Sequence, residues 1–357
     1  MIAEIPLREV GELPSADLCR QDPDCVRQLI DAALSRRSHP LLPLVTRLLD
    51  RISLAWLLRQ ADPYLEEIRH VASAVGAPGT YFLNTVYEWA CSTSVAAAPE
   101  GDSARMIRVL DWGLAGLGRH VVIARRDTAH GPFYSPTWPG YAGVLTAMAP
   151  GRFSAAINQA PRVPVSGIGI VDQVVTRLRC LRANDTVLAS HLLRRIFEQA
   201  ADFDGALAML ADPRVDLAMP AIFTLSGCAP HEGAIVEALG RERRVHRTGA
   251  NADDALGVAN QWLSPELRGL ARNESTGSGA PMTAERNNSL RQADVRALQQ
   301  GAFTGAADLT EPVLNSHTVM VVVANARRGE MLVEALDPPP ESVIPQVVAR
   351  RAIRHAA

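Results

Sequence analysis

The chain has 357 residues, and its 36 basic residues, all of them arginine, nearly balance 38 acidic ones to give a formal net charge of −2. The absence of lysine excludes Schiff-base chemistry, P-loop and kinase lysines, and Ser-Lys dyads. Because there is no basic stripe and aromatic residues make up only 5%, the chain is not expected to bind nucleic acid.

Residues 1–90 are predicted to form a helical leader. Apolar residues recur at helical spacing between 41 and 57, and a second helix over 63–75 is expected to end at Gly76. The N-terminus has acidic residues where a secretory signal needs basic ones, which predicts a cytoplasmic protein. The leucine-rich stretch 40–60 is a candidate for peripheral membrane contact, although core packing is the interpretation we favour. No apolar run approaches the ~20 residues that span a bilayer.

After residue 90 the pattern changes to short β-type runs divided by glycine and proline. Strands are predicted at 92–95, 106–112, 120–124, 141–146, 153–158, 221–226, 234–238 and 258–260. Helices are predicted at 171–180, 191–200, 203–210 and 287–300, a loop at 272–281, and a closing hairpin from 318–324 and 330–335. Because strands and helices come in blocks rather than in strict alternation, an α+β fold with antiparallel sheets is favoured.

Cys91 lies where the helical pattern ends and the β-type pattern begins, and Arg108 and Asp111 close another predicted strand. Taken singly, these residues have ordinary explanations, since a lone cysteine is usually a small core residue and an Arg/Asp pair is usually an ion pair. The five cysteines form no Cys-x-x-Cys pair, and the nine histidines show no His-x-x-His spacing. No disulfide, metal site or cofactor is therefore expected.

The sequence around these residues is similar, in order, to a known family. The matching segments are Tyr64-Leu-Glu-Glu-Ile, Leu83-Asn-Thr-Val-Tyr-Glu-Trp, Cys91-Ser-Thr-Ser-Val, Arg108-Val-Leu-Asp-Trp, residues 138–158, His191-Leu-Leu-Arg-Arg, Glu232-Gly, Ala259-Asn-Gln-Trp and Ser289-Leu-Arg. Together they resemble the N-terminal-nucleophile cysteine amidohydrolases of the acid ceramidase and N-acylethanolamine acid amidase type, which are related to the choloylglycine hydrolases.

The resemblance implies a precursor that cuts itself between Ala90 and Cys91. The two pieces, an α chain of residues 1–90 and a β chain of residues 91–357, are expected to stay associated in one αββα sandwich. The freed α-amine of Cys91 has an ordinary pKa of ~7.7–8.0, so part of it is neutral at pH 7 and can accept the thiol proton. The resemblance further assigns Asp111 to orient that amine, while Arg108 lies close to the sulfur and favours thiolate.

Three further polar side chains match site residues of the family. Asn260 matches the oxyanion asparagine, Asn158 matches a second pocket asparagine, and Arg291, or alternatively Arg286, matches a late site arginine. Each has an ordinary alternative. Asn158 has the sequence context of a turn cap, Asn260 that of a strand end bonded to backbone, and Arg291 that of a helix surface.

Trp138 and Tyr141 are candidates to bind an acyl group, although aromatic residues beside glycine and proline often only fill a core. The function implied is hydrolysis of a linear N-acyl amide with an apolar acyl group through a thioester, without a cofactor. The alternatives are acyl transfer to an amine, a non-catalytic binding protein of the same fold, and a papain-like Cys-His mechanism.

Overall fold

The computed structural model describes residues 2–22, 24–29, 42–85, 90–112, 116–161, 184–249, 254–271, 280–301, 303–339 and 344–355. Helices α1–α8 cover Pro14–Gln21, Leu42–Arg59, Leu65–Val75, Thr80–Thr85, Ala189–Gln199, Phe203–Ala211, Pro265–Ala271 and Ala280–Ala297. Strands β1–β8 cover Ala3–Glu4, Leu7–Val10, Ala90–Ala97, Ala104–Asp111, Val122–Arg126, Phe133–Thr137, Thr146–Ala149 and Phe153–Gln159. Strands β9–β17 cover Thr186–Val187, Asp216–Leu217, Ala221–Ser226, Gly233–Leu239, Glu242–Arg247, Leu256–Val258, Thr318–Asn325, Glu330–Asp337 and Gln346–Arg354.

Two large sheets form the centre of the molecule. Sheet A has seven strands in the order β1-β17-β16-β15-β4-β3-β14, and sheet B has eight in the order β13-β12-β11-β8-β7-β6-β5-β2. The pairs are antiparallel except at one edge of each sheet, where β1 joins β17 and β2 joins β5 in parallel. The central strands are buried on both faces because each sheet is covered by the other sheet and by helices.

The layers stack as helix, sheet, sheet, helix. Helix α8 packs on β3 and β14 of sheet A, while α5 and α6 pack on β8 and β11 of sheet B, and the inner faces meet where β3 lies against β8 and β11. At Gly233 an added Cβ would come within 2.9 Å of Val95, so glycine permits the close approach of β12 to β3. The predicted αββα sandwich is confirmed.

Helix α3 shows how local sequence sets the limits of an element. Glu66 and Glu67 lie in its first turn, where carboxylates interact favourably with the helix dipole. Its buried residues recur at helical spacing, and it ends at Gly76, whose φ of 65° is the left-handed conformation typical of a helix C-cap. In the described part of the chain, no helix has both the length and the apolar character that a membrane crossing requires.

The prediction that residues 1–90 are helical throughout is wrong at the start of the chain. Strands β1 and β2 lie there, and each adds an edge to a different sheet. Their backbone donors and acceptors are satisfied by β17 and β5, which are distant in sequence, so no local pattern reveals them. The leader is therefore part of both sheets as well as of the helical layer.

The strand predicted at 141–146 is also misplaced. The strand begins at Thr146, and the residues before it form an irregular connection held by a leader side chain. Asn84 accepts from the Ala142 N–H at 2.8 Å and donates to the Gly140 carbonyl at 3.0 Å. Strands β6, β13 and β17 have no counterpart in the predictions. The helix predicted at 171–180 and the loop residues 272–279 lie outside the described residues.

Candidate active site

Cys91 is the second residue of β3 and is completely buried between the sheets. It pairs with Leu110 of β4, so its side chain points to the inner face of sheet A. Its backbone N–H donates to Asn260 Oδ1 at 2.9 Å, and its Sγ lies 3.7 Å from the carbonyl oxygen of Ile157. The guanidinium of Arg108 also interacts with the thiol, and none of these described partners is a histidine, as a papain-like mechanism would require.

Arg108 lies on the same inner face, two pairs further along the ladder, opposite Thr93. It is fully buried, and its Nη1 donates to Asn158 Oδ1 at 3.4 Å. Its Nε and Nη2 have no hydrogen-bond partner among the described residues. Burial raises the pKa of the Cys91 thiol, and the Arg108 guanidinium partly opposes this shift. In the uncut chain the thiol is therefore protonated at neutral pH.

Asp111 closes β4 and pairs in register with Ala90, the residue before the predicted nucleophile. Its side chain points to the opposite face of sheet A, where α8 packs. There the carboxylate accepts from Thr318 Oγ1 and Asn315 Nδ2, each at 2.8 Å, and from Arg291 Nη2. Asp111 and Arg291 are 2% and 8% exposed, so this is a buried ion pair with two additional donors.

Helix α8 can approach Asp111 closely because the residue of β14 that lies beneath the helix is a glycine, Gly257. At Gly257 an added Cβ would lie 2.7 Å from the Gln292 carbonyl oxygen and 2.9 Å from Arg296 Cβ. The structure thus brings Arg291 into the cluster. Arg286, the alternative site arginine, lies in the same helix, and its side chain is outside the described ones.

Asn158 and Asn260 link the ends of two strands that belong to different sheets. Asn158 ends the inner face of β8, and its Nδ2 donates to the carbonyls of Val258 and Ala259 at 3.1 and 3.3 Å. Asn260 reciprocates, because its Nδ2 donates to the Gln159 carbonyl at 2.8 Å. Both N–H groups of Asn158 Nδ2 thus have an acceptor, whereas Asn260 Nδ2 has two N–H groups and one acceptor among the described residues, so one of its N–H groups is left for a substrate.

A buried carboxylate holds the chain just after Asn260. Glu237 of β12 is fully buried and accepts from the Leu263 N–H, from Ser264 and from His246 Nε2, the last at 2.9 Å. Burial alone would raise the pKa of Glu237, yet hydrogen bonds from His246 and Ser264 hold it below its usual value. Glu237 thereby anchors the segment that carries Asn260.

Trp138 and Tyr141 lie together at an apolar pocket between leader and sheet B. Leu83 of the leader forms part of one wall, and Trp112, Leu117 and the two predicted residues form others. Trp138 packs edge-on against Trp112 with ring centroids 5.5 Å apart, and its Nε1 donates to the Leu117 carbonyl at 2.9 Å. The described residues that line the pocket do not include Cys91.

Several residues of this cluster had no sequence signal. Thr93, Asn315 and Thr318 are bonded to Asn158 or Asp111, but each lies in an ordinary strand or turn sequence. Thr93 is the exception, because it lies two residues after Cys91 and the alternation of side chains along β3 places both on one face. Among the described residues, no group of three or more His, Cys, Asp or Glu side chains has the arrangement of a metal site.

No protein-family model matches the chain. Among curated proteins, it is 27% identical over 194 residues to a probable acid ceramidase of Caenorhabditis elegans, covering 49% of this chain and 47% of that one. It is 24% identical over 203 residues to an acid ceramidase of Heterocephalus glaber, covering 52% and 48%. The chain is thus similar to the acid ceramidases. The resemblance predicted from the sequence is thus confirmed, and the chain matches about half the length of these relatives.

Two solved structures superpose on the chain. The N-acylethanolamine-hydrolyzing acid amidase ortholog of Caenorhabditis elegans superposes with a TM-score of 0.46 at 16% identity, covering 71% of this chain and 99% of that one. A mutant conjugated bile acid hydrolase of Clostridium perfringens superposes with a TM-score of 0.40 at 10% identity, covering 74% and 92%.

Proposed function

We propose that this protein is a cysteine amidase that cuts itself between Ala90 and Cys91 and then hydrolyses N-acyl amides with an apolar acyl group. One observation carries the proposal. Residues from four separate parts of the sequence lie around the start of β3. Arg108 and Asn260 lie beside Cys91, and the pair of Asp111 and Arg291 lies on the opposite face of sheet A, next to Ala90. The similarity to acid ceramidases agrees with an amide substrate.

The self-cleavage step follows from the position of the bond. Cys91 Sγ attacks the Ala90 carbonyl carbon, the C–N bond to Cys91 breaks, and the thiol proton passes to the departing nitrogen. Water then hydrolyses the resulting thioester, which leaves an Ala90 carboxylate, a free Cys91 amine and a free thiol. The Cys91 N–H that becomes this amine is already held by Asn260.

Cleavage supplies the base that the uncut chain lacks. A free α-amine has an ordinary pKa of ~7.7–8.0, so it can accept the thiol proton of its own residue at neutral pH. Asp111 is the cross-strand partner of Ala90, so the new amine lies one position along the ladder from that residue. Arg108 supplies a permanent positive charge beside the sulfur and favours the thiolate that attacks the substrate carbonyl.

In turnover the substrate carbonyl carbon is attacked by sulfur and its oxygen becomes an oxyanion. Asn260 Nδ2 is the proposed donor, through the N–H that is not bonded to the Gln159 carbonyl. The Cys91 ammonium protonates the leaving amine, and water releases the acid from the thioester. The apolar pocket beside Trp138 and Tyr141 is the proposed place for the acyl chain.

Intact mass spectrometry of the purified protein tests the proposal. The wild-type chain is expected as two fragments that meet at Ala90–Cys91, and Cys91→Ala as one uncut chain. Hydroxylamine added with an N-acyl amide should yield an acyl hydroxamate if a thioester forms. A single uncut wild-type chain at both mildly acidic and neutral pH would refute self-cleavage.

A further inference from the structure

The reciprocal bonds of Asn158 and Asn260 depend on which way each amide group points. Asn158 Nδ2 must face the carbonyls of Val258 and Ala259, because its Oδ1 there would meet two other acceptors. Two donors face the other side of this side chain. Thr93 Oγ1 donates to Asn158 Oδ1 at 2.5 Å and Arg108 Nη1 at 3.4 Å.

We propose that Thr93 is a positioning residue, which acts through Asn158 to hold Asn260 against the Cys91 backbone. The proposal rests on the proposed function, because the reaction it serves is self-cleavage and amide hydrolysis at Cys91. Thr93 does not touch the scissile bond in the described contacts. Its hydroxyl makes the shorter of the two bonds that orient the Asn158 amide.

A continuous series of contacts leads from Thr93 to Cys91, and its first two residues are buried. Thr93 and Asn158 are both fully buried, so an unmade hydrogen bond there has no water to replace it. Asn158 fixes the end of β14 through the Ala259 carbonyl, and the next residue is Asn260. Asn260 Oδ1 then receives the Cys91 N–H. A loose Asn158 therefore loosens the group that holds the leaving nitrogen in self-cleavage.

Arg108 alone does not replace the hydroxyl. Its bond to Asn158 Oδ1 is 0.9 Å longer than that of Thr93, at 3.4 against 2.5 Å. In Thr93→Val the shape of the side chain is kept and the donor is lost. We expect this variant to cut itself about tenfold more slowly, the kinetic equivalent of one buried hydrogen bond. Thr93→Ser keeps the hydroxyl and should restore the rate.

The same strand offers a matched control. Ser92 Oγ is buried without a hydrogen-bond partner among the described residues, and alternation along the strand places it on the face of sheet A opposite to Thr93. Ser92→Ala thus removes a hydroxyl from the neighbouring position without touching Asn158. It is expected to cut itself at the wild-type rate.

The experiment has a kinetic arm and an arm that needs no chemistry. The first follows self-cleavage by intact mass, together with kcat and KM of the cut protein toward N-dodecanoyl-7-amino-4-methylcoumarin. The second measures hydrogen exchange of the residue 91 amide in the uncut Cys91→Ala background. Thr93→Val should lower kcat at unchanged KM and speed this exchange about tenfold, whereas Thr93→Ser and Ser92→Ala should change neither.

The outcomes separate the two proposals. Unchanged exchange in Thr93→Val, or a cleavage rate equal to that of Ser92→Ala, overturns the role of Thr93 while leaving the amidase proposal intact. Faster exchange together with a wild-type chain that never cuts itself refutes the proposed function and shows that the contact to residue 91 serves only the fold. Equal loss in Thr93→Val and Thr93→Ser would mean that packing of the threonine methyl group, not the hydroxyl, is what matters, and would overturn the inference.

Discussion

The buried pair of Asp111 and Arg291 gives the sharpest test of how the site is held. We consider Asp111→Asn, which keeps the size of the side chain and removes its charge, and Arg291→Met, which keeps much of the apolar stem. Both are made in the Cys91→Ala background, so that the protein remains one chain and unfolding is not complicated by dissociation of two fragments.

The magnitude follows from the contacts of the carboxylate. Asp111 accepts one charged donor, worth about 1.5–3 kcal/mol, and two neutral donors, each worth about 0.5–1.5 kcal/mol. An amide can still accept from Arg291 and Asn315, while Thr318 can rotate to accept from the new NH₂ group. Asp111→Asn leaves the Arg291 cation buried at 8% exposure without its counter-charge, which costs about 3 kcal/mol, at the low end for a broken buried pair.

Urea unfolding of the two single variants and the double variant measures the coupling between the residues. We expect each single variant to lose about 3 kcal/mol and the double variant to lose clearly less than their sum, with a coupling of at least ~1 kcal/mol. Additive losses would refute the reasoning, because they would show that the two side chains do not depend on each other. A changed urea dependence in any variant would indicate an altered unfolded state instead.

Three other predictions address the leader, the helix and the pocket. Asp62 Oδ2 lies 2.7 Å from His191 Nδ1. Burial raises the pKa of the Asp62 carboxyl, yet His191 holds that pKa below its usual value, so the pair stabilises the fold above about pH 4 and this stabilisation is lost as the pH falls further. Asp62→Asn should therefore weaken the association of the cut chains at neutral pH, as measured by size exclusion, and an unchanged elution profile would contradict this. Gly257→Ala should push α8 from β14 and lower the free energy of unfolding by about 1–3 kcal/mol in urea, whereas a neutral result would mean that the helix can shift freely. Trp138→Ala should raise KM about tenfold for a dodecanoyl amide but little for an acetyl amide, and equal effects on both would exclude the pocket as the acyl site.

Sequence reasoning succeeded where a pattern is local. Helices α2 and α3 follow from apolar spacing and from the Gly76 stop, and the hairpin of β15 and β16 follows from two apolar runs joined by a short polar turn. It failed at the sheet edges. Strand β13, with the sequence Glu-Arg-Arg-Val-His-Arg, has mostly exposed or half-buried residues and is defined by its pairing with β12. Such pairing is made by backbone groups, so it depends only weakly on the pattern of side chains along the strand.

The residues of the candidate site show the same contrast between what the sequence predicts and what it does not. The change of pattern placed Cys91 at the start of the β-type region, but it was the resemblance to the family that assigned Cys91, Arg108 and Asp111 to one site. The resemblance did not say on which face of the sheet each side chain lies. Arg108 is an inner-face residue between the sheets, whereas Asp111 points outward under α8. Strand β4 thus places the guanidinium of Arg108 beside the sulfur of Cys91 and the carboxylate of Asp111 on the opposite face of sheet A.

The leader contributes strands to both sheets and helices to the helical layer, so the two pieces expected from the proposed cut would still be joined by these contacts. β1 and β2 add to different sheets, and the buried Glu67 of α3 lies 2.7 Å from the buried Arg194 of α5. Each of these contacts joins residues before 90 to residues after 91, and none includes the Ala90–Cys91 bond. Breaking that bond would therefore remove one covalent link and leave these contacts in place.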